Sequence, residues 1–135
     1  YFYHQDVTTS IMSTLKNLFL LVMILSPVLS IAQQGGIEAA LQKGNATELA
    51  TFFSKNVDLL IPGTEDTFAA PEAATVLTEF FTKQTVKGYK QNHVSTPQEG
   101  RAKYTIGDLY TAQGNYRVTL YYDAQQKISE IRIQK

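Results

Sequence analysis

Ala73-Ala74-Thr75-Val76-Leu77-Thr78-Glu79-Phe80-Phe81-Thr82-Lys83-Gln84 runs straight into Thr85-Val86-Lys87-Gly88-Tyr89-Lys90-Gln91-Asn92-His93-Val94-Ser95, and the chain changes its period between the two. Before Gln84 the apolar residues recur at helical spacing. Ala73, Leu77, Phe80 and Phe81 share one face, Glu72, Thr75, Glu79 and Thr82 share the other, and Pro71 suits a first helical position. After Gln84 the period falls to two. Turn residues then punctuate the chain at hairpin intervals: Thr96-Pro97-Gln98-Glu99-Gly100, Gln113-Gly114-Asn115, and Asp123 to Gln126. Four strands are expected, near residues 86–95, 101–112, 116–123 and 128–134. Helices first and antiparallel strands after predict an α+β domain.

Upstream of that junction the signals are shorter. Ile37, Ala40 and Leu41 mark a first helix that Gly44 would stop. Asn45 is a good N-cap with Glu48 three residues on, and Ala46, Leu49, Ala50 and Phe53 form one stripe of a second helix. Asn45-Ala46-Thr47 is also a glycosylation sequon, but the cap already accounts for Asn45. Val57 to Ile61 reads as a strand closed by Pro62-Gly63. Residues 46–55 and 74–83 repeat the word Ala-Thr-x-Leu-x-x-Phe-Phe-Ser/Thr-Lys. Two copies are too few for a solenoid, so both read as helix ends that wedge a Phe pair against one sheet, with an ancestral duplication as the alternative. After residue 32 every Phe precedes Gln84 and every Tyr follows it. A tyrosine hydroxyl wants a polar partner, so the sheet is expected to carry a wet or pocket-lining face.

Composition narrows the classes of function. The 135 residues carry 12 basic and 12 acidic side chains, with 44% hydrophobic and 18% charged residues. Without a basic cluster there is no footprint for nucleic acid. With no Cys there is no disulfide framework, thiolate metal site or Cys nucleophile. At the N-terminus, Lys16, the apolar run Leu18 to Leu25 and Ser30-x-Ala32 form the three parts of a signal peptide. Pro27 and its flanking serines interrupt the run well short of the roughly 20 apolar residues a membrane span needs, so no stable anchor is expected after cleavage. Residues 1–11 then precede the true start at Met12, 12–32 are the signal peptide, and 33–135 are a single domain in the periplasm or outside the cell.

The Lys43-Gly44-Asn45-Ala46 junction, Ile61-Pro62-Gly63, Phe80-Phe81, Tyr104-x-Ile106-Gly107, Gly114-Asn115-Tyr116-Arg117-Val118 and Ile131-Arg132-Ile133 occur in that order. Together they resemble a bacterial family of short exported proteins of unknown function in the nuclear-transport-factor-2-like superfamily. The resemblance covers essentially all of residues 33–135. It implies a cone: about three N-terminal helices held in a strongly curved, mostly antiparallel sheet, in the order ααβ(β)αββββ, with a cavity between them. Superfamily members include dehydratases, isomerases, transport adaptors and dimerisation modules, so the fold leaves function open.

No complete catalytic constellation is present. If Gln113-Gly114-Asn115 is a three-residue loop, Tyr110 pairs with Val118, Asp108 with Leu120 and Ile106 with Tyr122. Tyr104, Asp108, Tyr110 and Tyr122 then line one face, and Asp108 is a desolvated carboxylate among apolar neighbours. A shift of one residue moves every side chain to the opposite face and puts Asp108 in solvent. His93 reads as a polar edge residue; the alternative is a base paired with Asp108. Being the only histidine after residue 32, it cannot build a multi-histidine metal site. Ser54 and Ser129 lack a nucleophile-elbow setting. Glu65-Asp66, with Asp58, lacks the alternation of a calcium loop and reads as a solvated turn. Arg117, Lys103 and Lys87 read as cross-strand partners of acids rather than an anion site. No cofactor or metal is expected.

The expected function is therefore an exported binding module that uses a Tyr-lined cavity or the sheet face for a small apolar molecule or a protein, with a homodimer through the sheet left open. The alternative is a small pocket enzyme of the hydratase or isomerase kind, with Asp108 as general base and Tyr104 or Tyr110 polarising an oxygen. Export is directly testable. Expression from Met12 in a Gram-negative host, osmotic shock and intact-mass spectrometry are expected to yield a chain beginning at Gln33; an unprocessed cytosolic chain alone would refute it.

Overall fold

Sheet pairing overrides local helix signals where the chain leaves its short second helix, and this sets the start of the whole sheet. The computed structural model describes residues 28–98 and 100–135, with side chains from residue 33 onward. Residues 1–11 and the expected signal peptide up to residue 27 lie outside the described residues. Among those described, no helix is long and apolar enough to cross a membrane. Gly35–Lys135 forms one compact unit.

Helix α1 (Val28–Lys43) begins earlier than the pattern at Ile37 suggests, buries Ile37, Ala40 and Leu41, and ends before Gly44 at φ +63°. The Asn45 side chain accepts from the Glu48 N–H at 3.1 Å and caps α2 (Ala46–Ala50), as expected. Phe53, assigned by its spacing to that helix, instead opens β1 (Phe53–Ile61). The Ile128 N–H donates to the Phe52 carbonyl at 2.8 Å, and Phe53 pairs with Ile128 in a parallel ladder. A five-residue helix offers little to oppose that pairing.

The Pro62-Gly63 turn returns the chain as β2 (Thr64–Ala69), which pairs Ile61 with Thr64 and Val57 with Phe68. Glu65 and Asp66 therefore stand in a strand, not in the expected turn. The strand was hidden because it is an exposed edge with little apolar alternation to read. Helix α3 (Ala70–Gln84) follows with Pro71 in its first turn and buries Ala73, Leu77, Phe80 and Phe81. The four expected strands are β3 (Val86–Val94), β4 (Tyr104–Thr111), β5 (Gly114–Tyr122) and β6 (Ile128–Gln134).

All six strands form one curved sheet in the order β2-β1-β6-β5-β4-β3, antiparallel except for β1 beside β6. Irregularities interrupt the β1–β6, β3–β4 and β5–β6 ladders, and such bulges add local bend and twist. The inner face packs Val57, Leu59, Leu109, Val118, Leu120, Ile131 and Ile133 against Leu41, Leu49, Leu77 and Phe81 of the helices. Each such side chain contributes on the order of 1.5–3 kcal/mol by leaving water.

The β4–β5 register differs from the expected one. Thr111 pairs with Gly114, Leu109 with Tyr116, Gly107 with Val118 and Thr105 with Leu120. The turn closes on Ala112-Gln113, and Gly114 adopts φ +125° directly after it. The pairing has moved by an odd number of residues relative to the expected one, so the β4 side chains exchange faces. Thr105, Gly107, Leu109 and Thr111 are inside, while Tyr104, Ile106, Asp108 and Tyr110 are outside.

Gly107 lies under the ring of Tyr89. A Cβ built there would stand 2.2 Å from the Tyr89 hydroxyl oxygen and 2.4 Å from Cζ, closer than any real contact. Gly107→Ala is expected to cost about 1–3 kcal/mol in urea unfolding by overpacking. Gly35→Ala, with nothing within 4 Å of its Cβ, is expected to be neutral or stabilising. Equal stability of the Gly107→Ala and native chains would contradict this packing.

Candidate functional site

Three tyrosines point into the core from the sheet, and their hydroxyls fare differently. The Tyr116 hydroxyl donates to Gln84 Oε1 at 2.9 Å, and its ring packs edge-on against Phe80 at 5.5 Å. The Tyr122 hydroxyl shares a hydrogen bond with Thr105 Oγ1 at 3.3 Å, and Lys103 Nζ stands 5.1 Å over its ring. Tyr89 is 5% exposed, and its hydroxyl has no hydrogen-bond partner among the described residues.

The local fold explains this placement. Tyr89 pairs with Leu109 and Gln91 with Gly107, so Tyr89 is the diagonal neighbour of Gly107 and its ring occupies the space a side chain would fill. Gln42 Nε2 of α1 donates to the Tyr89 carbonyl at 3.5 Å. Burial pushes the Tyr89 hydroxyl well above the ordinary phenol range, and the neighbouring Tyr122 phenol and the Glu38 and Asp108 carboxylates add to the shift. Burial also raises Tyr122; its bond to Thr105 opposes the shift and Glu38 adds to it. The inner site thus consists of Tyr89, Tyr122 and Thr105 on the sheet, with half-buried Glu38 on α1. Both phenols are held neutral and can donate a hydrogen bond to an oxygen.

The residues expected to form a pocket are not brought together. Tyr122 is inside, but Tyr104, Asp108 and Tyr110 lie on the outer face, where Tyr110 is 39% exposed. Asp108 accepts from Asn92 Nδ2 at 2.7 Å and stands between Arg117 of β5 and Lys90 of β3. The desolvated Asp108 expected from the other register therefore gives way to a hydrogen-bonded outer-face carboxylate. His93 is exposed, and its ring lies 5.8 Å from that of Tyr104. Asp58 accepts from the Thr67 hydroxyl, and Asp66 accepts from the Thr67 N–H at 2.8 Å. Among the described residues, no group of three or more His, Asp or Glu is placed to hold a metal ion. Ser54 donates to Asp123, whose carboxyl is held below the ordinary range by that bond and by the N–H groups of Lys127 and Gln125.

The outer face carries a row of rings. His93, Tyr104 and Tyr121 follow one another at centroid spacings of 5.8 Å, and the Arg132 guanidinium lies 5.1 Å over Tyr121 while bonded to Glu130. That bond raises the Arg132 pKa further. A depression of about 190 Å³ opens at the His93 end, between Ser95, Thr96, Gln98, Arg101, Ala102 and Tyr104. A shallower one of about 350 Å³ lies over β2, β1 and β6, lined by Asp58, Leu60, Glu65, Asp66, Thr67, Glu130 and Arg132.

Residues 35–134 match the family model described as a domain of unknown function, DUF4783. The chain belongs to the DUF4783 family. A crystal structure of a DUF4783 protein from Bacteroides ovatus is 32% identical, covers 74% of this chain and 92% of its own, and superposes with a TM-score of 0.67. One from Bacteroides uniformis is 31% identical over 75% of this chain and 94% of its own, also at 0.67. An NTF2-like protein of unknown function from Cytophaga hutchinsonii shares the fold at 12% identity, covering 73% of this chain and 81% of its own, with a TM-score of 0.53. No match is found among curated proteins. The DUF4783 chain is thus an NTF2-like α+β domain.

Sequence reasoning reached Tyr122 but missed Tyr89, Thr105 and Glu38. Tyr89 carried a signal in the Gly107 that lies two residues before Leu109, since a glycine inside a strand marks a close approach by another group.

The raised hydroxyls give this DUF4783 domain an alkaline limit. A phenol whose folded pKa exceeds its unfolded value near 10 contributes its full stability below that value and loses it as pH rises, at about 1.4 kcal/mol per pH unit. Stability is therefore expected to fall above about pH 10, and Tyr89→Phe is expected to make the fall shallower by one proton's slope. Identical alkaline unfolding of the variant and the native chain would refute the buried neutral phenol.

Proposed function

We propose that this DUF4783 chain is an exported binding module that holds a small, largely apolar molecule against the inner face of its sheet, oriented by the Tyr89 hydroxyl. The unpartnered Tyr89 hydroxyl carries the reading. Burying it unbonded costs about 1–3 kcal/mol, and Phe would bury the same ring without that cost. A partner from outside the chain accounts for the hydroxyl. Glu38 acts on both phenols, so a neutral molecule with one acceptor oxygen fits better than an anion. Folds of this class often bind ligands, which supports the reading without naming a ligand.

The enzyme alternative required Asp108 inside as a general base. Asp108 lies outside on Asn92, so that alternative is withdrawn.

A thermal-shift screen of small neutral carbonyl compounds tests the proposal. At least one is expected to raise the melting temperature of the native chain, by about 2.7 kcal/mol of stabilisation at a hundredfold excess over Kd, and to lose most of that effect in Tyr89→Phe. Without a ligand, Tyr89→Phe is expected to be at least as stable as the native chain. A variant that is destabilised alone, or that binds as well as the native chain, would overturn the role given to Tyr89.

A further inference from the structure

The row of rings on the outer face begins at a groove with its own chemistry, separate from the inner face. The Ser95 N–H donates to the Tyr104 carbonyl at 2.9 Å, and the Tyr104 N–H donates to Ser95 Oγ at 2.8 Å. These two bonds lock the end of β3 to the start of β4 and fix the Tyr104 ring beside His93. The Arg101 N–H donates to the Gln98 carbonyl at 2.9 Å, closing the connecting turn and placing Arg101 on the lip. The result is a groove of about 190 Å³ lined by two rings tilted by 37°, His93 and Tyr104, together with Ser95, Thr96, Gln98, Arg101 and Ala102.

We propose that this groove binds a carboxylate carried on a six-membered ring, with the ring on Tyr104 and His93 and the carboxylate on Arg101. The volume suits a single ring. A guanidinium presents paired N–H donors that match a carboxylate in two parallel bonds, and Arg101 makes no ion pair among the described residues. The flat face of a sugar ring or an aromatic ring packs on Tyr104, and Ser95, Thr96 and Gln98 can bond its substituents. A single-stranded nucleic acid fits less well. Neither line of charge on this face is a continuous cationic track: Lys90, Asp108 and Arg117 alternate in sign across β3, β4 and β5, and Arg132 at the Tyr121 end is bonded to Glu130, while the rings are too close together to admit a base between them.

The test is a ¹H–¹⁵N NMR titration of the full chain with sodium glucuronate, sodium benzoate, glucose and sodium phosphate. At least one of the two ring acids is expected to shift the amides of His93, Ser95, Thr96, Arg101 and Tyr104 and to saturate within about 1–10 mM, the range of a single small site. The better acid shows whether the ring is a sugar or an aromatic one. Arg101→Gln and Tyr104→Leu are each expected to weaken it about tenfold, with dispersed spectra showing that the variants are folded. The proposal is overturned if neither acid shifts these amides, if glucose or phosphate shifts them equally, or if Arg101→Gln changes nothing. A short oligo-dT that shifts them at lower concentration than either acid would also overturn it, in favour of nucleic acid.

Discussion

Between β4 and β5 the chain reverses on Ala112-Gln113, and the pairing this turn imposes decides what every residue of the sheet's longer half can do. The Thr111 hydroxyl donates to the Gly114 carbonyl and accepts from the Gln113 N–H at 3.2 Å, so the turn is held from within. Gly114 at φ +125° takes a backbone state that side-chain-bearing residues rarely adopt. Once Thr111 faces Gly114, alternation does the rest. Leu109, Val118 and Leu120 must go inward, and Tyr104, Asp108, Arg117 and Tyr121 must go outward. One residue more in the turn, with β5 kept in place, would set Asp108 opposite Val118, burying it and expelling Leu109. Burying an unpaired charge costs several kcal/mol, so the two registers are not close competitors.

Volume explains why β4 turns its less apolar face to the core. Tyr116, Val118, Leu120 and Tyr122 of β5 already fill the inner face beside it, and Tyr89 reaches across from β3. Under those rings the small residues Thr105 and Gly107 fit where Tyr104 and Ile106 could not. Matching apolar rows to apolar rows, as the sequence invites, ignores this filling. The inner face is selected by the space left over, and of the two β4 tyrosines turned outward Tyr104 joins His93 and Tyr121 in the outer row.

Much of the fold is legible in sequence because its signals are local. Asn45 with Glu48 announces a cap, Pro71 a helix start, and the change of period at Gln84 the passage from helix to sheet. What escaped depends on partners distant in sequence. Phe53 left its helical stripe because Ile128, at the far end of the chain, pairs with it. Strand β2 showed no pattern because an edge strand with exposed faces has no core to pattern it. The inner site escaped for the same reason: Tyr89 is distinguished from Tyr116 and Tyr122 only by what surrounds its hydroxyl, and Gln84 and Thr105 satisfy the others from remote positions.

That difference bears on how stability and function share the sheet. A domain of about 100 residues has a net stability on the order of 5–15 kcal/mol, so an unbonded phenol costing 1–3 kcal/mol is a sizeable fraction of it. A phenylalanine at residue 89 would keep the ring over Gly107 and give up only the contact of the hydroxyl oxygen with that backbone. The hydroxyl also sits over the backbone of β4 at Gly107, where the described residues offer it no hydrogen-bond partner. A fixed, neutral, desolvated donor is poor for folding and good for recognition, since its free energy is recovered only when an acceptor arrives already oriented. The outer face follows the opposite rule. Its polar groups largely answer one another, Asp108 with Asn92 and Arg132 with Glu130, and Arg101 at the mouth of the groove is a cation that no acid of the described chain neutralises.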